Sequence, residues 1–212
     1  MNNEYFLTRL IQDNKRIVLW KTLCNFVFNK MISPEDTVLE LGAGYGDFIN
    51  NIRAKKKYAI DIWEGSKEYL NKDVVFFCGS IRDLSILEKN SIDFVFASNL
   101  LEHLKIEDIK IFLEQIKPCL KDNATINIIQ PNFKYCFREY FDDYTHITIF
   151  TEKSLKDLLE SHGFKVFYMK PKYLPFTVKS KLPVFPFLIK LYLILPIKPI
   201  GKQMFLRAIY SR

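Results

Sequence analysis

The 212-residue chain predicts an α/β fold, in which a mostly parallel sheet carries helices on its faces. Three observations carry this. From Thr37 onward short β-rich runs alternate with runs of helical periodicity. The run Thr37-Val38-Leu39-Glu40-Leu41 passes straight into the glycine-rich turn Gly42-Ala43-Gly44-Tyr45-Gly46. Gly163 and Gly201 then separate the last helical and strand-like segments.

The elements follow in order. Residues 4 to 30 place Phe6, Leu7, Leu10, Ile11, Val18, Leu19, Leu23, Phe26 and Val27 at helical spacing, which predicts one or two amphipathic helices broken at Ser33-Pro34. A strand is expected over 37–41, a helix over 46–54, and strands over 57–61, 74–78 and 92–98. A helix over 106–119 and a strand over 124–130 continue the alternation. Thr151-Glu152-Lys153-Ser154 caps a helix running to Ser161, and Gly163 ends it. Strands over 165–169 and 203–210 complete the set. Two segments exceed a minimal sheet: an aromatic and acidic insert over 131–150, and a proline-rich, apolar and basic one over 171–200. Ligands of doubly wound sheets bind at the carboxyl ends of the strands, so the first insert is expected to be a lid over the site.

Length and composition suit one domain spanning 1–212, with half of the residues apolar. The start Met1-Asn2-Asn3-Glu4 lacks a basic stretch followed by an apolar run, so a cytoplasmic protein without a secretory signal is expected. Cys24, Cys78, Cys119 and Cys136 are scattered, and neither a disulfide framework nor a metal site is predicted. The formal charge of +7 is local. No Asp or Glu follows Glu160, whereas ten of the 31 basic residues do, which leaves the first 160 residues at −3. Such asymmetry points to an anionic partner for the C-terminal part. Residues 182–197 are apolar but broken by Pro183, Pro186, Lys190 and Pro196, too short to span a bilayer. A peripheral contact of 171–200 with the inner membrane face, a dimerisation surface and a core-covering helix all remain open.

Glycines at alternate positions let a ligand lie against bare backbone. A dinucleotide fingerprint reads G-x-G-x-x-G, whereas here the third glycine comes one residue early and Glu40 precedes the turn inside the strand. Asp61 closes the second strand nineteen residues after Gly42, the place from which an acid reaches a ribose diol, with Ile62 beside it for the base. The fourth strand ends in Ala97-Ser98-Asn99-Leu100-Leu101-Glu102-His103. These segments together resemble the class I S-adenosylmethionine-dependent methyltransferases. The resemblance implies a three-layer Rossmann-like sheet of seven strands in the order 3-2-1-4-5-7-6, with the last strand antiparallel. It implies S-adenosylmethionine as cofactor and S-adenosylhomocysteine as product. The binding residues it implies are Glu40, Gly42, Ala43, Gly44, Gly46, Asp61, Ile62, Ser80, Ile81 and Asn99; Ser80 stands where the family commonly has an acid. Neither Asn/Asp-Pro-Pro-Tyr/Phe nor Pro-Cys occupies the fourth-strand position, and no nucleic-acid partner is expected.

An aliphatic hydroxyl acceptor needs a positioned base, and only His103, His146 and His162 exist. His162 falls at a helix end. The lid, with Pro131-Asn132, Asp142-Asp143-Tyr144-Thr145-His146 and Phe150-Thr151, resembles type 11 and type 23 methyltransferases, closely those encoded among surface-polysaccharide genes. That resemblance implies O-methylation of a sugar hydroxyl on a nucleotide-linked or lipid-linked precursor of capsule or lipopolysaccharide. It implies His146 as general base, Asp142 or Asp143 orienting it, and His103 lining the site. An isoprenoid or lipid acceptor, and a non-catalytic cofactor-binding scaffold, are the alternatives.

Overall fold

Val38 and Leu39, neighbours in the first strand, are buried on opposite faces of one sheet, and that split organises the molecule. The computed structural model describes residues 12–175 and 184–210. The seven strands are β1 (Thr37–Leu41), β2 (Lys56–Asp61), β3 (Val74–Cys78), β4 (Ile92–Ser98), β5 (Leu120–Pro131), β6 (Phe164–Leu174) and β7 (Gln203–Tyr210). They lie in the order β3-β2-β1-β4-β5-β7-β6, parallel throughout except that β7 runs antiparallel to both β5 and β6. This is the Rossmann-like order expected.

On one face Leu39, Leu41, Val95, Ala97, Ile126 and Ile128 meet α2 (Ile106–Ile116) and α4 (Glu152–Ser161). On the other, Val38, Phe94, Phe96, Ile129 and Phe205 meet Trp20 and Leu23 of α1 (Asn14–Phe26). The short α3 (Phe133–Cys136) opens the lid segment. α5 (Pro186–Ile194) lies in the C-terminal insert. Asp13 caps α1 by accepting from the Arg16 N–H at 2.7 Å, and Thr151 with Ser154 forms a reciprocal capping box on α4. Gly163, at φ +84°, ends α4.

Several boundaries differ from expectation, among them the helix over 106–119, which is α-helical to Ile116 and ends in a 3-10 turn at Lys117–Cys119. The helix predicted over 46–54 is a turn with a single 3-10 segment at Ile49–Asn51. Gly46 sits at φ +69°, which no right-handed helix accommodates, and the Asn51 side-chain Nδ2 donates to the Asp47 carbonyl at 3.0 Å, in place of the backbone N–H, which turns to the Phe48 carbonyl. β5 begins four residues early, at Leu120, because Ile92 pairs with Leu120 across a bulge. β6 runs on to Leu174, which pairs with Gln203, so residues 171–174 belong to the sheet rather than to the insert. The predicted N-terminal helix is seen over 14–26; its portion over 4–11 and the tail segment 176–183 lie outside the described residues. No helix among the described residues is long and apolar enough to cross a membrane.

Candidate active site

The carboxyl ends of β1, β2, β3 and β4 open onto one cleft of about 950 Å³, including its open mouth. Its floor is the β1 turn. Gly42, Gly44 and Gly46 all take positive φ, at +67°, +51° and +69°, so the chain reverses without side chains in the way. A Cβ on Gly42 would lie 3.0 Å from Leu100 Cδ1, so the turn and the β4 loop pack as close as glycine allows. Asp61 ties the turn to β2: one carboxylate oxygen accepts from the Gly44 N–H at 2.7 Å and the other from the Trp63 N–H at 2.8 Å. Burial nevertheless holds the Asp61 carboxyl above its usual range against those two bonds. Glu40 points to the α1 face, accepting from the Ile49 N–H at 3.0 Å, and burial raises its pKa well above the ordinary value.

Nine of the ten positions expected around the cofactor line this cleft: Glu40, Gly42, Ala43, Gly44, Asp61, Ile62, Ser80, Ile81 and Asn99. Gly46 does not. A Cβ there would meet Asn50 Nδ2 and Leu70 Cδ2 at 2.7 Å, so its glycine serves the packing of the turn. Asn99 holds φ +49° at the end of β4, a left-handed conformation that asparagine tolerates, and its N–H donates to the Ile129 carbonyl at 2.8 Å.

The other wall is the 3-10 turn Leu101–His103, which the lid closes over. The Glu102 carbonyl accepts from the Ile147 and Thr148 N–H groups at 2.9 and 3.1 Å, and Tyr140 OH donates to the Thr148 carbonyl. His103 borders the cleft; His146, 8% exposed, stands behind it with the ring centroids 4.8 Å apart. The structure gives these imidazoles partners other than those expected. His146 Nδ1–H donates to the Tyr140 carbonyl at 2.6 Å, where Asp142 or Asp143 had been anticipated. Asp143 instead accepts from the Thr145 hydroxyl at 2.6 Å, and Thr145 Oγ1 in turn accepts from His103 Nδ1–H at 2.8 Å. Asp142 is exposed at the end of the 3-10 turn Tyr140–Asp142. Burial, with His146 close by, pushes His103 down to about 4, so the imidazole is neutral at physiological pH. Hydrogen bonds from Thr145 outweigh burial at Asp143 and hold its carboxyl below the usual range.

Sequence reasoning passed over three groups. Arg16 and Trp20 of α1 line the cleft, and Arg16 is ion-paired with the buried Asp47. Nothing in the helical periodicity of residues 4–30 distinguishes them. Glu102 is 1% exposed, and neither carboxylate oxygen has a hydrogen-bond partner among the described residues. Burial pushes it up to about 8. Its only signal was a charged residue beside a histidine immediately after a buried strand.

The profile of a family described as a methyltransferase domain, type 23, matches residues 13–168. No curated protein matches the chain. Among solved structures, an S-adenosylmethionine-dependent methyltransferase from Archaeoglobus fulgidus is 21% identical with a TM-score of 0.68, covering 98% of this chain and 100% of that one. One from Aquifex aeolicus is 19% identical with a TM-score of 0.62, covering 94% of each chain. These likenesses concern the fold, whereas the family match extends from the helix over the cleft through the lid and into β6. The chain belongs to this methyltransferase family and is an S-adenosylmethionine-dependent enzyme.

Proposed function

We propose that the enzyme methylates a sugar hydroxyl of a surface-glycan precursor, of capsule or lipopolysaccharide, carried on a nucleotide or a lipid. The observation that carries this reading is the neutral imidazole of His103 on the cleft wall, backed by Thr145 and Asp143. Nitrogen acceptors with a lone pair at neutral pH can react when merely aligned, but an aliphatic hydroxyl has to lose its proton as the new bond forms. A neutral histidine with a fixed tautomer offers its Nε2 lone pair to that proton; burial weakens it as a base, and the Asp143 carboxylate behind Thr145 acts in the opposite direction. A second imidazole stands immediately behind it.

The cleft fits the cofactor. Asp61 has acceptor capacity beyond its bonds to Gly44 and Trp63, which suits it to the ribose hydroxyls. Ile62 and Ile81 offer apolar walls for the base, with Ser80 beside them. The glycine turn offers bare backbone, and Glu40, Ala43 and Asn99 complete the lining around it. The positive charge of Arg16 suits the amino-acid carboxylate. When bound, S-adenosylmethionine supplies an electrophilic methyl group, and the protein's share is alignment and management of the acceptor proton.

Glycan chemistry is supported by the lid's resemblance to surface-polysaccharide methyltransferases and by two lysines at its edge. Lys134 of α3 and Lys172 of β6 both stand over the ring of Tyr135, at 5.5 and 4.6 Å, and form a cationic pair suited to a phosphate-bearing acceptor. A lipid acceptor is the second reading, with one observation of its own: Phe187 and Ile197, in and beyond α5, are 71% and 78% exposed. The test is incubation of the full chain with S-adenosylmethionine and a panel of nucleotide sugars, read by mass spectrometry. A methyl-sized gain on a sugar supports the first reading. Transfer only to isoprenoid acceptors supports the second and removes the first.

A further inference from the structure

The carboxylate of Glu102 is both buried and unpartnered among the described residues. A carboxyl group so placed costs stability, and natural proteins retain such a group where something else completes it. Two imidazoles stand beside it. One oxygen of Glu102 and one ring nitrogen each of His103 and His146 all lie within 4.8 Å of one another. Both rings are held from behind by oxygen: His146 Nδ1–H donates to the Tyr140 carbonyl and His103 Nδ1–H to Thr145 Oγ1. Each ring therefore carries its lone pair on Nε2. An oxygen acceptor at the other ring N–H is how a metal-ligating histidine is usually fixed in tautomer and orientation.

We propose that Glu102, His103 and His146 form a binding site for a divalent first-row transition metal ion, of which Zn²⁺ is the type, on the acceptor side of the cleft. One carboxylate and two imidazoles suit such an ion, whereas Mg²⁺ and Ca²⁺ take shells of oxygen alone. Donors sit ~2.0–2.2 Å from zinc, so loading draws the triangle inward by roughly an ångström. Three protein ligands leave a coordination position open, and His103 brings the ion to the cleft wall. With the His103 lone pair engaged by the ion, a substrate hydroxyl taking that position is acidified by the ion, which then stands in place of the imidazole base, and gives its proton to solvent water. This last role rests on the hydroxyl-acceptor reading; binding of the ion does not.

The test is calorimetric titration of Zn²⁺ into the chelator-treated full chain, alongside E102Q and H146A. The site predicts one ion per chain, bound more weakly in both variants by on the order of 100-fold. S-adenosylhomocysteine binding checks that each variant is folded, and the isosteric E102Q keeps the test valid if H146A misfolds. No binding by the wild type, or equal binding by E102Q, overturns the site. Zinc bound as predicted without methylation of any sugar removes only the glycan reading. Sugar methylation undiminished in the chelated protein removes only the ion's catalytic role.

Discussion

Two buried glutamates flank the same cleft and are treated in opposite ways. Glu40, in β1, accepts a backbone hydrogen bond from Ile49 and lies near the Arg16–Asp47 ion pair. The carboxyl of Glu102, in the 3-10 turn that follows β4, has no hydrogen-bond or salt-bridge partner from any other described residue. The first belongs to a finished structure, in which the β1 turn, Asp61 and α1 satisfy one another before any ligand arrives. The second belongs to a wall that folding alone leaves incomplete. The cofactor half is preorganised by the sheet, whereas the acceptor half depends on a loop closing over a buried carboxyl group.

Variants that separate the halves sharpen this contrast. The largest effect is expected for His103→Ala, which should lower turnover by ~10²–10⁴-fold in a methyl-transfer assay. Turnover within threefold of wild type would remove His103 from the chemistry. In the other half, Gly42→Val forces a β-branched residue to φ +67° against Leu100 and should cost ~1–3 kcal/mol of stability as well as weaken S-adenosylhomocysteine binding. Unchanged denaturation and binding would mean that the turn relaxes freely.

The incomplete wall also has a pH signature. The Glu102 pKa is raised from 4.5 to about 8 in the folded chain, so the native state holds a proton that the unfolded state has released. Its contribution is complete below the unfolded value and is lost as pH rises from about 4.5 to about 8, on the order of 3–5 kcal/mol. Chelated wild-type protein should therefore lose stability over that window relative to E102Q, as measured by urea denaturation. Parallel curves for the two proteins would count against a buried, unpartnered carboxyl. The smallest effect is expected for Thr151→Ala, which removes the α4 cap. It should cost ~0.5–2 kcal/mol and leave S-adenosylhomocysteine affinity unchanged.

Legibility divides along the same line. β1, β3, β4 and β7 keep their predicted bounds because short apolar, β-rich runs bounded by turn residues are local signals. Asp61 could be placed by counting from Gly42, since the β1–β2 unit fixes that distance. No α-helix forms over 46–54 because Gly46 takes a left-handed φ, and the side chains of Asn50 and Asn51 donate to the Tyr69 and Asp47 carbonyls. Arg16 reaches the cleft through the packing of α1, and Glu102 lies under a segment whose residues 147 and 148 bond to its carbonyl. Both are products of contacts distant in sequence, which no local pattern encodes. The same holds for Thr145, whose place between Asp143 and His103 emerges from the closed lid.

The division of the cleft is tested most directly by titrating S-adenosylhomocysteine into wild type, Asp61→Ala and His103→Ala. Loss of Asp61 removes the carboxylate that ties the turn to β2 and should weaken binding by on the order of 100-fold. Loss of His103 should leave affinity within about threefold, well under the 1.4 kcal/mol that a tenfold change represents. Equal losses, or a larger loss at His103, would contradict a cofactor half that is built independently of the acceptor half.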